Sequence, residues 1–597
     1  MKKIGLFKRI ILYLLCFLIF FRFIFDGMTY PIFNYIFTLS VFILFIFLVL
    51  FNSENIDFGL SEFYFFLFFL FSIFSSFFSK IKGTGVRYNA YIGSYLVLLI
   101  TLKNIFSEEN KKIFVNTILI SIFFITIYGI YQRFWGLEET RRFLIENQQL
   151  LLNQYPNIAK YISPTFFDRM ISNRIFSTFV YPNIYAGFLI SIMPFLFFLF
   201  LKYYKKIWGI FCLSLFFLCL FNLILTESIG GILIFIFVFH IIFIHIIFGE
   251  KKLRKILPYL LSLELILFLL GYKLKILPHI HSFVDRVQYW KISMKIFPSS
   301  PFLGIGQENF KYYFLKFKTP NAMEAKHAHS LFFETLIENG LIGLILLFAF
   351  FILTILNILK SNKNKILNIG IFYSLLAFLL HNLVDFDFSD PSMAVIFFIF
   401  ASFVENKRRT FSVGLTKIFL WVIIIIVGFS SIKLIKFENS ERYRKYSEIE
   451  KKLEIRFYYL DKAENWYNKN FEVFSDRADL YLSLWKLTRD KKYLDISILN
   501  YKKAIDLNPY LIKGYRKLAY IYEEIGNYEM AEKMYLKLLE IYPNKKLYNL
   551  DVARFYKKMG NDDKFEYYYQ KSKQLFGINI EEGILIEEIE KWIKLQK

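Results

Sequence analysis

The side chains best suited to chemistry in this sequence lie at the ends of long apolar runs, and His329 is the first of them. It sits in K-H-A-H-S-L-F-F-E-T-L-I-E-N-G-L-I-G, Lys326 to Gly343, where a polar loop ends and a membrane helix is expected to begin. A histidine at a boundary between water and lipid titrates near neutral pH. It can take a proton from a hydroxyl while the helix that follows holds it in place. The same residue can simply start a helix, and His327 is a near competitor as base, so these readings stand side by side. Arg174 opens R-I-F-S-T-F-V-Y-P-N-I-Y-A-G, Arg286 belongs to the amphipathic D-R-V-Q-Y-W-K-I-S-M-K-I-F, and Asp385 lies in H-N-L-V-D-F. An arginine at a membrane-helix end is often only a solvated or snorkelling charge.

Other motifs carry less. Gly304-Ile305-Gly306, in the turn-rich stretch 298–310, has neither the strand nor the further glycine of a nucleotide loop. His240 and His245, five apart in an apolar run, read as packed or pore-facing, and His279 and His281 as solvated. Cys16, Cys212 and Cys219 all fall inside apolar segments, which leaves no disulfide framework and no Cys-rich site. No metal site and no cofactor is expected.

These groups need elements to hold them. Hydrophobic residues make up 56% of the 597, with 76 phenylalanines, so the chain reads as a membrane protein and not as several soluble domains. Its charge of +24 is not a nucleic-acid signal, because Lys and Arg cluster in short connections between apolar runs. The basic N-terminus, Lys2 to Arg9, reads as the start of an uncleaved first helix. Thirteen candidate spans fall near 8–26, 31–51, 61–79, 88–104, 113–134, 181–201, 207–225, 229–248, 256–274, 331–359, 366–383, 390–404 and 414–435. Alternation places the basic connections at Lys2–Arg9, Lys202–Lys206, Lys251–Lys255, Lys360–Lys365 and Lys407–Arg409 on the cytoplasmic side. Connections 135–180, 226–228, 275–330 and 384–389 then lie outside, with the tail after Lys436. Lys80, Lys82 and Arg87 also fall outside, against the charge rule.

Beyond residue 436 the periodicity changes. From Tyr481 the chain repeats every 34 residues, and the central copy carries Tyr515, Leu518, Ala519, Tyr522, Gly526, Ala531, Tyr535 and Pro543. This resembles the tetratricopeptide repeat, in which small residues let paired helices approach and aromatics fill between pairs. Trp485 stands where the first copy would have a small residue. The expected fold is all-α: a polytopic membrane bundle over 1–436, a helical connector over 437–477, a soluble solenoid of repeats over 478–579 and a capping helix over 580–597.

The order of four motifs, Arg174–Gly187, Asp285–Phe310, His329–Gly343 and His381–Phe386, resembles the O-antigen ligase family over about residues 60–405. That family includes ligases, O-antigen polymerases and protein O-oligosaccharyltransferases. The resemblance implies transfer of a glycan from a polyprenyl-diphosphate donor to an acceptor hydroxyl on lipid, glycan or protein. It implies the outer face of a bacterial cytoplasmic membrane, with inversion and without a metal. His329 would then be the base, Arg174, Arg286 and Arg87 (with Lys82) would bind the donor diphosphate, and Asp385 and His327 would support them. The repeats would bind a protein partner or acceptor. In Leu225–Gly231 the family often carries an arginine, where this chain has Ile229. Asp385-Phe386-Asp387 fits the metal and nucleotide-sugar pattern of other glycosyltransferases only weakly. The non-enzyme alternative, a transporter of lipid-linked glycans, usually places charges inside its spans, and here the spans are nearly free of them.

Overall fold

A computed structural model of the chain describes residues 2–25, 31–52, 56–147, 172–273, 281–320, 322–361, 364–403, 411–575 and 580–595. About half of the sequence-expected loop at 135–180, residues 148–171, therefore lies outside the described residues, as does His279. Among the described residues all regular structure is helical. A helix satisfies its backbone N–H and C=O groups within its own segment, which a lipid environment demands.

Nine helices among the described residues are long and apolar enough to cross a bilayer, fewer than the thirteen expected. The difference has local causes. Lys2–Ile24 carries Lys8, Arg9 and Arg22, and Val86–Ile105 mixes Arg87, Asn89 and Lys103 into its apolar residues. Pro391–Ser402 has only 12 residues. The two runs expected at 229–248 and 256–274 fall in one element, Ile229–Lys273, bent at Gly249 (φ 74°).

Pro182–Tyr203 is the most buried of the nine, with 83% of its most apolar stretch inside the bundle. It packs against Ile207–Leu225 and Lys365–Val384. Pro182 occupies the first turn, where its missing N–H costs nothing. Pro194 removes one donor from the ladder further along, and the adjacent N–H of Phe195 donates to Ser374 Oγ at 3.1 Å on the neighbouring helix. The helices also approach closely at Gly187, where a Cβ would stand 2.8 Å from His381 Nδ1 and nearer still to the Asp387 carboxylate. Large apolar side chains on the outside of the bundle, such as Phe77 and Ile207, are exposed, as surfaces meant for lipid are.

The run expected to span at 331–359 is two helices, Leu331–Glu338 and Gly340–Lys360. The stretch 300–306 docks on the break between them. Ile305 N–H donates to Ile337 O (2.9 Å), Gly306 N–H to Glu338 O (3.0 Å) and Leu341 N–H to Pro301 O (2.8 Å). Gly304 and Gly340 both adopt positive φ (75° and 66°), and a Cβ on either would run into the other strand of this bracket. The glycines that superficially suggest a nucleotide loop are therefore backbone joinery, and His329 precedes an eight-residue helix instead of the membrane helix itself.

The last long helix, Val413–Ile449, runs unbroken through residue 436, so the expected boundary between bundle and connector falls inside one helix. Leu453–Trp466 folds back on it. Three helical pairs follow: Phe471–Thr488 with Lys491–Leu507, Ile512–Glu524 with Tyr528–Ile541, and Lys546–Lys558 with Asp562–Lys573. Ala519, Ala531 and Ala553 are fully buried between tyrosines 515, 522, 535 and 556, and Ile580–Leu595 covers the last pair with Ile586, Ile589 and Ile593.

These pairs are fastened to the loop region that leads to His329. Phe471, Phe474, Ala504 and Leu511 share a core with Tyr289, Ile292, Phe310 and Phe314. Tyr313 and Tyr510 rings meet at 4.4 Å, Tyr542 Oη donates to Glu324 Oε1 at 2.8 Å, and Asn544 Nδ2 donates to Lys318 O at 2.7 Å. Full burial of each large apolar side chain is worth about 1.5–3 kcal/mol, which makes this a structural interface and not a tether.

Candidate active site

Three segments converge around Asp385. The helix His281–Ile296 presents Arg286 and Tyr289, the turn before Leu331–Glu338 presents His329, and Asp385 ends Lys365–Val384 as its extended C-cap residue. Asp385 is 1% exposed. Arg286 Nη2 donates to its Oδ2 at 2.8 Å, and His329 Nδ1 lies 3.6 Å from its Oδ1. The second distance is longer than a hydrogen bond. Burial works to raise the Asp385 carboxyl, but Arg286 and then His329 outweigh it and hold it well below the usual carboxylate range.

His329 adopts φ 50°, the left-handed region, which costs a residue with a side chain about 1–2 kcal/mol. Its ring is held by Tyr289, 5.4 Å away, and edge-on by Phe386 at 4.7 Å. Nδ1 is buried without a hydrogen bond, while the side chain as a whole keeps 29% exposure, so solvent reaches the rest of the ring. A carboxylate behind Nδ1 favours a proton there and leaves the Nε2 lone pair free to act as base.

His327 is engaged elsewhere. Its Nδ1 lies 2.8 Å from Glu334 Oε1, and its ring stacks on the face of Phe386 at 4.8 Å. Phe386 thus meets one histidine with its face and the other edge-on.

The three arginines separate. Arg174 donates from Nε to Thr226 O (2.8 Å) and from Nη2 to Asn183 Oδ1 (2.9 Å), and no carboxylate among the described residues is ion-paired with it. Burial lowers its pKa and Glu227, Arg286 and Asp385 all act on it electrostatically, yet a guanidinium stays charged at neutral pH. Arg286 is neutralised by Asp385, but its Nε is buried and has no hydrogen-bond partner among the described residues. Arg87 is not brought to this group. Both its Nε (2.5 Å) and Nη2 (2.9 Å) donate to the Glu438 carboxylate on the extended last helix, and its guanidinium lies over Phe437. Lys82 is not brought to this group either: its backbone N–H donates to Leu507 O at 2.7 Å, and its ammonium donates to Ser79 O at 2.8 Å.

A second acid–base pair lies behind the first. His381 Nδ1 is 2.5 Å from Asp387 Oδ2, and both residues are buried beneath Gly187. Burial pushes the Asp387 carboxyl up to about 6, with His381 opposing and Asp385 adding to the rise. Sequence reasoning gave no role to Tyr289 or Phe386, quoted His381 only as the start of a motif and weighed Asp387 only within a weak metal pattern. Three of the four flank Asp385 or Arg286 in the motifs that were singled out, which was the available signal. His240 and His245 are apart from all of this, the first beside Glu264 and the second beside the Tyr373 hydroxyl.

Residues 214–348 match the model of a protein family described as O-Antigen ligase. The matched stretch contains Arg286, His327 and His329, and Arg174 and Asp385 lie to either side of it. It supports kinship with membrane glycosyltransferases of the O-antigen ligase and polymerase kind. No curated protein matches the chain.

Proposed function

We propose that this protein transfers a glycan from a polyprenyl-diphosphate donor to an acceptor hydroxyl at the outer face of the cytoplasmic membrane. The observation that carries the reading is the Arg286–Asp385–His329 array beside Arg174, with its histidine inside the family match. The acceptor hydroxyl gives its proton to His329 Nε2 as its oxygen bonds to the anomeric carbon. The bond from that carbon to the diphosphate oxygen breaks, and the electron pair leaves on the phosphate. Arg174, the guanidinium without a carboxylate partner among the described residues, meets that charge. Asp385 holds the protonated imidazole, and Arg286 holds Asp385 and offers its unused Nε donor. The sidedness is supported by the helix ends: Arg174, His329 and Asp385 lie at the ends opposite the Lys202–Lys206 and Lys360–Lys365 connections.

The test is transfer in membranes supplied with lipid-linked donor and acceptor. Arg174→Ala should lower donor use by 10²-fold or more, on the order of removing one charge-stabilising donor. Unchanged donor kinetics would make Arg174 a boundary charge and remove the diphosphate from the reading.

A protein acceptor is the second reading, and one observation favours it. Helices with the spacing of tetratricopeptide repeats, a scaffold for extended peptides, share a core with the segment that leads to His329. Glycoprotein bands that vanish on deletion of the gene support it, and their persistence rules it out.

A further inference from the structure

A cavity of about 270 Å³ opens at the end of the bundle opposite His329. Pro182–Tyr203, which starts beside the Arg174 motif, ends at this cavity, and its 22 residues span about 33 Å. Lys365–Val384 runs the other way, from the cavity to Asp385. The cavity is therefore a separate place from the reaction site.

Its lining is unbalanced in charge. Lys111, Lys112, Lys202 and Lys206 face a single carboxylate, Glu108, which pairs with Lys111 at 3.4 Å. Among the described residues no carboxylate is ion-paired with Lys112, Lys202 or Lys206. Lys202 Nζ donates to Asn364 Oδ1 at 3.2 Å, a neutral partner. Three positive charges are thus gathered around one concavity without their own counter-ions, an arrangement that an anion relieves. The floor is apolar: Val115, Leu199 and Phe403 are buried there. Tyr203 and Trp208 form an edge-to-face wall at 4.9 Å, and Trp208 Nε1 donates to Asn116 Oδ1 at 3.3 Å. A basic rim over an apolar floor at the mouth of membrane helices is complementary to a phosphate that carries acyl chains.

We propose that this cavity binds the phosphate headgroup of an anionic membrane lipid. The proposal rests on the membrane bundle and is independent of the transfer reaction. The experiment is native mass spectrometry of the full-length protein in mild detergent with added phosphatidylglycerol or phosphatidylcholine, with inorganic phosphate as competitor. Phosphatidylglycerol should bind, and the triple variant Lys112→Gln/Lys202→Gln/Lys206→Gln should hold it on the order of 100-fold more weakly, given the contribution of each basic residue near an anionic surface. The triple Arg variant should restore binding. Equal retention by the Gln variant, equal binding of phosphatidylcholine, or full displacement by inorganic phosphate would overturn the proposal, the last by assigning the cavity to a soluble anion. If the Gln variant does not fold, the salt dependence of the unmodified protein decides: phosphatidylglycerol binding should weaken by about tenfold or more from low to high salt, and salt-independent binding overturns the proposal.

Discussion

Replacing Asp385 by Asn keeps the side-chain shape and removes the charge that joins Arg286 to His329. Arg286 is 7% exposed and Asp385 1%, so the change strands a guanidinium away from water. Breaking a buried pair in this way costs about 3–5 kcal/mol. The amide oxygen still accepts from Arg286 Nη2, which puts the expected loss near the lower end, about 3 kcal/mol. The effect on rate comes by a different route. His329 loses the carboxylate 3.6 Å from Nδ1 that orients its ring and favours the Nδ1–H tautomer. General-base assistance is worth about 10²–10⁴-fold, and at this separation a loss of about 10² in transfer rate at saturating donor is expected. Unfolding in detergent measures the first quantity, and product formation in membranes with lipid-linked donor measures the second. A variant that unfolds more easily yet transfers within about twofold of the unmodified rate would refute the reasoning, because Asp385 would then be a counter-ion for Arg286 and nothing more.

His329→Gly should abolish transfer with little change in stability, since relief of the left-handed strain, about 1–2 kcal/mol, offsets the lost ring contacts with Tyr289 and Phe386. Added imidazole should restore part of the rate, and full activity without it would dismiss the base. Burial lifts the Asp387 carboxyl from the ordinary range near 4 to about 6, so the folded state holds the extra proton between them. Stability should accordingly fall as pH rises from about 4 to 6, by at most about 1.4 kcal/mol per pH unit, and Asp387→Asn should flatten that limb in pH-dependent unfolding curves. Tyr313→Ala removes a ring that is 6% exposed and tilted against Tyr510 at 4.4 Å. A loss of about 3 kcal/mol, with new protease cleavage between 311 and 330 and slower transfer, is expected; an unchanged digest would show that the repeats do not brace this segment.

Hydropathy alone made the membrane bundle legible, because a bilayer imposes one length and one composition on whatever crosses it. The paired helices beyond residue 471 were legible as helices because small residues must stand where helices pack closely, and Ala519, Ala531 and Ala553 are all buried. What the sequence hid were features set by partners distant along the chain. The break at Asn339–Gly340 depends on residues 300–306 bonding to it, and composition gives no hint of that within an apolar run. Arg87 looked available because its counter-ion, Glu438, is 351 residues away. At the candidate site the motifs located His329, Arg286 and Asp385, but not that Asp385 stands between the other two. His381 and Asp387 were hidden because they meet across a helix end, where neither helical nor strand periodicity applies.

The unbroken helix Val413–Ile449 makes the spacing between bundle and repeats a matter of phase as well as length. Each residue inserted or deleted in its outer part turns everything beyond it by about 100° and shifts it by about 1.5 Å. A single insertion after Glu438 would leave the Arg87 anchor in place and carry Arg444, Asp476 and the helices bearing Phe471 and Tyr510 round together, away from Tyr289 and Tyr313. The helix is therefore a keyed shaft. Evolution can lengthen it only in steps that return to the same angle, and chimaeras that exchange the repeat domain should work only when the splice preserves that register.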